Sequence, residues 1–149
     1  MKKKRHFYLH KTVDSPPFEV GHGHPLPLGA TLTHDGINFS VFSRHGISVT
    51  LILYDSKYKK IEEIPLDPFL NKTGDIWHIL VYYLDPSISY GFRVDGPYDP
   101  RGAGHRFNRD IVLIDPYTRA LTDSHKWGDE DELIHSEVEN YLKRASCVV

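Results

Sequence analysis

Short runs of alternating apolar and polar residues recur along the middle of the chain. One run, from Ile37 to Val41, directly follows the turn signal His34-Asp35-Gly36, and such alternation is typical of a half-buried β-strand. A weaker run contains Pro65 near its end, which favours an edge position in a sheet. The pattern predicts five strands in this region, over residues 37–42, 49–54, 61–66, 76–82 and 90–94.

The spacing of these strands predicts an all-β protein built as an antiparallel β-sandwich. Turn residues separate the strands, and the connections are too short for the crossovers that parallel strands need. Alternation places every second side chain between two sheets. We therefore expect an inter-sheet core made of Phe39, Val41, Leu51, Leu53, Trp77, Ile79, Phe92 and Val94.

The two ends of the chain differ from this middle part in charge. The first 11 residues hold five basic side chains and no acidic one, whereas residues 123–139 hold seven acidic residues and one lysine. The start is expected to be a solvated, mobile tail. The chain is thus divided into an irregular basic lead-in at 1–24, a sandwich module at 25–122 and an acidic linker at 123–149.

Three further stretches give weaker structural signals. Residues 111–114 predict a short final strand. Residues 117–121 could form one helical turn with Asp115 as its N-cap. Residues 133–142 show a partial helical period, but an irregular linker would fit equally well.

Composition limits the kinds of function to consider. The chain has 149 residues and a formal net charge of −2, which favours one domain and argues against a dedicated nucleic-acid binder. Its apolar runs are too short to cross a membrane. The single Cys147 excludes an internal disulfide. Because no export signal is recognisable either, we expect a cytoplasmic location.

Few residues suggest chemistry. His22 and His24 could be half of a metal site, but no third ligand has the right spacing. Cys147 lies in no nucleophile motif. Residues 91–95 resemble the motif around the nucleophilic aspartate of α-amylase-type glycoside hydrolases, but the chain is too short for their ~250-residue barrel. Asp95 is therefore assigned to a turn, and we predict no catalytic residue, no metal and no cofactor.

Aromatic residues offer a possible sugar-binding surface. Trp77, Tyr82 and Tyr83 could stack on a sugar or a base, although a tryptophan in an apolar strand more often belongs to the core. Their exposure distinguishes a purely structural sandwich from one that binds a ligand.

Seven ordered blocks of sequence carry a more specific signal. The blocks are Pro27–Ala30, Gly36–Ser43, Val49–Asp55, Asp75–His78, Tyr90–Pro100, Gly104–Asn108 and Leu113–Tyr117. Together they resemble the N-terminal domain of bacterial glycogen debranching enzymes and isoamylases, which is classed with carbohydrate-binding module family 48. The resemblance covers about residues 18–122 and, more loosely, the last five residues, Ala145–Val149.

This resemblance implies a fold, a partner and a function. The fold would be an immunoglobulin-like sandwich. The chain would be a non-catalytic module supporting a separate catalytic barrel that hydrolyses α-1,6 linkages in glycogen or limit dextrins, and it could itself contact α-glucan. A free-standing glucan-binding module and a protein-interaction sandwich are the alternatives. Neither nucleic acid nor a membrane is implied. The candidate interdomain residues are Tyr98, Arg106, Phe107, Asn108 and Tyr117.

Overall fold

The computed structural model describes residues 18–121 and 145–148, which form two antiparallel sheets packed face to face. The first sheet has the order β1-β7-β3-β2, with β6 beside β7, and the second has the order β11-β8-β4-β5. A separate hairpin joins β9 and β10. The strands are β1 (Val20–Gly21), β2 (Gly29–Leu32), β3 (Gly36–Phe42), β4 (Ser48–Tyr54), β5 (Lys60–Pro65), β6 (Lys72–Thr73), β7 (Ile76–Tyr82), β8 (Ser89–Asp95), β9 (Tyr98–Asp99), β10 (His105–Arg106) and β11 (Ser146–Cys147).

The predicted antiparallel sandwich and its core are confirmed. The five predicted strands correspond to β3, β4, β5, β7 and β8, and β5 lies at the edge of its sheet, as Pro65 suggests. All eight predicted core residues are buried in one cluster between the sheets. Among residues 18–121 and 145–148, no helix is long and apolar enough to cross a membrane.

Polar side chains attach the lead-in to the outer face of the first sheet. The Asn38 side chain accepts a hydrogen bond from the His24 backbone N–H (2.8 Å) and donates one to the His24 carbonyl (3.0 Å). The His78 Nδ1 donates to the His22 carbonyl at 2.6 Å, since a carbonyl can only accept. Residues 18–24 were assigned to an irregular lead-in, but they contain strand β1, which pairs with β7. This assignment is corrected for the part of the lead-in that the structure describes.

The segment after β8 follows the edge of that strand that faces away from β4, and two predictions made for it are wrong. Leu113 makes only an isolated bridge, with two backbone hydrogen bonds to Phe92, so 111–114 is not a strand. Pro116, three residues later, has no N–H to extend a ladder. Asp115 accepts the Tyr117 N–H on its carboxylate and the Thr118 N–H on its carbonyl, which closes a turn instead of starting a helix.

The end of the described chain also belongs to the sandwich. Strand β11 pairs Ser146 with Tyr90 of β8, and Ala145 packs with Ile52 and Tyr54 on the outer face of the second sheet. A strand of two residues gives no periodic signal, so the sequence did not predict it. The predictions for a mobile start and for residues 133–142 fall outside the described residues.

Candidate functional site

The β9–β10 hairpin presents two of the candidate interdomain residues to solvent. Tyr98 and Arg106 lie opposite each other in its register, and Tyr98 is 71% exposed. The Asp99 carboxylate fixes the loop by accepting the backbone N–H groups of Gly102 (2.9 Å) and Ala103 (3.1 Å). The hydrogen bond from Ala103 lowers the pKa of Asp99 most, and the one from Gly102 lowers it further. The hairpin therefore holds Tyr98 in place without burying it.

Phe107 is different, because it packs back on the sandwich. Its ring is partly buried against the inter-sheet core. The ring also covers Gly96, where a Cβ would lie only 2.7 Å from the Phe107 Cγ. Phe107 therefore supports the segment from inside, which does not fit its assignment to an open interdomain face.

Substitution of Phe107 distinguishes these two roles. We expect Phe107→Ser to lower the free energy of unfolding by about 1–3 kcal/mol, somewhat less than the ~3–5 kcal/mol typical of a fully buried phenylalanine. The exposed Tyr98→Ser should change it by less than about 0.5 kcal/mol. Urea denaturation of both variants measures this difference. Equally small losses of unfolding free energy in the two variants would show that the Phe107 side chain is exposed.

A buried hydrogen-bond network positions Tyr117. The Tyr90 hydroxyl donates to the Asp115 carboxylate at 2.6 Å, and the Asp115 N–H donates to the Ser146 hydroxyl at 3.0 Å. Burial and the Asp115 hydrogen bond both raise the pKa of Tyr90. All three side chains are almost fully buried. Tyr117 follows this anchor directly and is exposed.

These supports define one surface segment, which we call the 98–117 surface. The segment is held by Phe107, by the Leu113–Phe92 bridge and by the buried Asp115. The apolar residues at 111, 113 and 114 were not predicted to belong to this surface, because their sequence pattern predicted a strand. The exposed side chains of the 98–117 surface are Tyr98, Arg106, Asn108, Ile111, Leu113, Ile114 and Tyr117.

The three candidate glucan-binding residues do not form one platform. Trp77 is only 1% exposed and lies in the inter-sheet core, and the Lys72 ammonium lies 4.9 Å from its ring centroid. Its assignment to a sugar site is therefore wrong. Side chains at every second position of a strand lie on the same face, so Trp77 lies on the inward face with Ile79. Tyr82 is half-buried and Tyr83 is exposed, with ring centroids 6.1 Å apart.

The hairpin and the tyrosine pair lie at opposite ends of the sandwich. At one end, Ser48 of β4 pairs with Asp95 of β8, immediately before the hairpin. At the other end, Gly36 of β3 pairs with Tyr82 of β7. The short connection from Phe42 to Ser48 places the end of β3 beside the start of β4.

The remaining candidate residues have local structural contacts. The Asp95 carboxylate accepts the N–H of Gly96 at 2.9 Å, as a turn residue would. His22 and His24 use backbone groups to hold the lead-in, and their side chains are exposed. Cys147 is half-buried in β11, and burial raises the pKa of its thiol. Within the described ranges, no cluster of three or more His, Cys, Asp or Glu side chains could hold a metal ion.

The two antiparallel sheets, with the 98–117 surface attached along the edge of β8, define a β-sandwich module. Residues 27–118 match the family described as carbohydrate-binding module 48, the isoamylase N-terminal domain. The chain therefore belongs to carbohydrate-binding module family 48. The family expected from the seven sequence blocks is confirmed.

Curated relatives are much longer than this chain. Isoamylase 1, chloroplastic, of Arabidopsis thaliana is 36% identical over 124 residues, which cover 80% of this chain and 16% of the relative. The glycogen debranching enzyme of Yersinia enterocolitica is 44% identical over 111 residues, or 74% of this chain and 16% of that enzyme. The chain thus spans about one sixth of these relatives.

Solved structures support the fold. The crystal structure of the pullulanase SAP from group B Streptococcus with maltotetraose matches with a TM-score of 0.55 and 20% identity, over 83% of this chain and 14% of that chain. A product complex of the pneumococcal glycogen-degrading protein SpuA matches with a TM-score of 0.56 and 16% identity, over 86% of this chain and 12% of that chain.

Proposed function

We propose that the chain is the non-catalytic N-terminal module of a glycogen debranching enzyme of the isoamylase type. In this role the 98–117 surface packs against a catalytic barrel that hydrolyses α-1,6 linkages in glycogen or limit dextrins. The family assignment and the names of the curated relatives support the enzyme class. A cytoplasmic location stays a prediction from the sequence.

The 98–117 surface is the observation that carries this proposal. It exposes two tyrosines, an arginine and three aliphatic side chains on one segment that is attached to the sandwich through Phe107, the Leu113–Phe92 bridge and Asp115. Aromatic residues and arginine are enriched in protein interfaces, and large exposed apolar patches mark interaction sites. Carbohydrate chemistry does not require the aliphatic residues at 111, 113 and 114, whereas contact with another domain would bury them.

The isolated chain is expected to have no glycosidase activity. A retaining glycosidase needs two carboxyl groups ~5–5.5 Å apart, and Asp95 instead holds its own turn. Incubation with a branched limit dextrin should release no reducing sugar, and Asp95→Asn should change nothing. Release of sugar that disappears in Asp95→Asn would contradict this assignment.

Association with a catalytic domain tests the proposed interface. The probe is the Yersinia enterocolitica enzyme lacking its homologous N-terminal segment, mixed with this chain and analysed by sedimentation velocity. We expect a complex with the wild-type chain and at least tenfold weaker association for the double variant Tyr98→Ser/Tyr117→Ser. Tyr58→Asn is the control, because it removes an exposed tyrosine from the β4–β5 turn, outside the 98–117 surface. Equal association of all three chains would show that the interface lies elsewhere.

A further inference from the structure

Two histidine rings connect the β9–β10 hairpin to the turn between β3 and β4. The ring centroids of His45, in this turn, and His105, in β10, are 4.4 Å apart, and the rings are inclined by 50°. His45 is exposed and His105 is half-buried. The proposed interface uses neither ring, although histidine is the side chain whose charge ordinarily changes between about pH 5 and pH 8.

The β3–β4 turn is itself fixed to the sandwich. The Ile47 N–H donates to the Asp95 carbonyl at 2.8 Å. A Cβ placed at Gly46 would lie 2.8 Å from Val94 Cγ1, so the turn packs directly on β8. The turn therefore offers His45 as a fixed support for the hairpin.

The histidine contact lies on the hairpin face opposite to two of the candidate interdomain residues. Asp99 is paired with His105 in the hairpin register, and Tyr98 is paired with Arg106. Successive side chains of a strand point to opposite faces. One face of the hairpin thus rests on the β3–β4 turn through His105, and the other face presents Tyr98 and Arg106. The contact between His45 and His105 therefore affects how firmly the hairpin holds these two side chains in place.

Nearby charges decide what protonation does to this contact. Two positively charged rings at this separation repel each other, and the surrounding water weakens the repulsion without removing it. The hydrogen bonds of the hairpin loop, that from Ala103 first, are the main cause of the lowered pKa of Asp99, and the charge of His105 lowers it further. Asp99 therefore favours a proton on His105. The repulsion then acts on His45, which is followed by no acidic neighbour in its turn and is preceded by the exposed Arg44.

Other charged groups lie on the elements packed around the pair. Asp95 ends β8, and its carboxylate accepts the Gly96 N–H. Arg101 is exposed in the hairpin loop, and Arg106 lies on the opposite hairpin face. Together with Arg44, these arginines outnumber the aspartates nearby, so the surroundings do not offset a second positive ring.

We propose that His45 and His105 form a pH-sensitive contact that positions the β9–β10 hairpin for association with the catalytic domain and loosens when both rings are protonated. The partner rests on the proposed function, because the hairpin carries part of the 98–117 surface. The closed contact binds fewer protons than the loosened one, since repulsion opposes the second proton. The contact is therefore stabilised as the pH rises and lost as the pH falls. His45 is thus a positioning residue that acts through the hairpin.

Nuclear magnetic resonance tests the contact in the chain itself, between about pH 7.5 and about pH 5.5. We expect the imidazole C–H signals of the two rings to titrate in two separate steps, as interacting groups do. Solvent exchange of the Gly104 N–H, which donates to the Asp99 carbonyl within the hairpin, should accelerate in the second step. In His45→Gln, His105 should titrate in one step without this additional acceleration. Single-step titration of His105 in the wild type, unchanged by His45→Gln, would overturn the proposal.

Association with the truncated Yersinia enterocolitica enzyme tests the consequence. Because that enzyme also titrates, the quantity to compare is the ratio of the dissociation constants at the two pH values for each chain. We expect this ratio to be at least about threefold larger for the wild type than for His45→Gln. His34→Gln is the matched control, since His34 is 96% exposed in the β2–β3 turn, and it should give the wild-type ratio.

The outcomes separate this proposal from the proposed function. Equal ratios in the wild type, His45→Gln and His34→Gln would overturn the pH-sensitive contact, while the complex itself would still support the proposed function. Absence of any complex at both pH values would contradict the proposed function, and the titration of His105 would then decide the contact.

Discussion

Replacing Phe92 with alanine is expected to lower the free energy of unfolding by about 3–5 kcal/mol, the range for removing a buried aromatic side chain. Phe92 is 2% exposed at the centre of β8, and its ring packs edge-on against Tyr90 with centroids 5.8 Å apart. Urea denaturation monitored by tyrosine and tryptophan fluorescence gives the difference.

The control for this substitution is Phe42→Ala. Phe42 is 53% exposed at the end of β3, so its loss should cost less than about 0.5 kcal/mol. A loss under about 1 kcal/mol for Phe92→Ala would mean that the two sheets are not packed around this ring.

Replacing Asp115 with alanine is expected to cost about 2–4 kcal/mol, because it leaves two donors without an acceptor. The donors are the buried Tyr90 hydroxyl and the part-buried Tyr117 N–H. The loss should also release the segment that carries Tyr117. Hydrogen exchange at the Tyr117 and Cys147 amides should therefore accelerate more than at the amides of β7.

A double-mutant cycle with Tyr90→Phe isolates the hydrogen bond between the two side chains. A coupling of about 1.5–3 kcal/mol is expected for a buried bond to a charged group. Additive effects of the two substitutions would contradict the network and leave Asp115 as a local turn residue only.

The sequence was most informative where one face of a strand is buried. Alternation in β3 and β7 identified Phe39, Val41, Trp77 and Ile79 as core residues because side chains at every second position share a face. The same parity would have removed Trp77 from the candidate sugar site, since it lies on the inward face with Ile79.

Contacts that depend on backbone groups could not be predicted in this way. Strand β1 is two residues long, and the lead-in beside it is held by side chains of Asn38 and His78 that bind its carbonyls. Apolar periodicity does not report such hydrogen bonds. Phe107 was predicted to be a surface residue because its packing over Gly96 is a contact of the folded chain that gives no periodic signal in the sequence.

The central claim is that this sandwich supports a debranching barrel without taking part in its chemistry. A chimera tests it most directly, with residues 27–118 replacing the matching segment of the Yersinia enterocolitica debranching enzyme. The measurement is the rate of α-1,6 cleavage in glycogen limit dextrin, compared with the parent enzyme and with the enzyme lacking that segment. We predict a chimera within about tenfold of the parent, a clear loss on deletion of the segment, and a loss in the chimera when Tyr98 and Tyr117 are both serine. A folded chimera no more active than the deleted enzyme would contradict the claim.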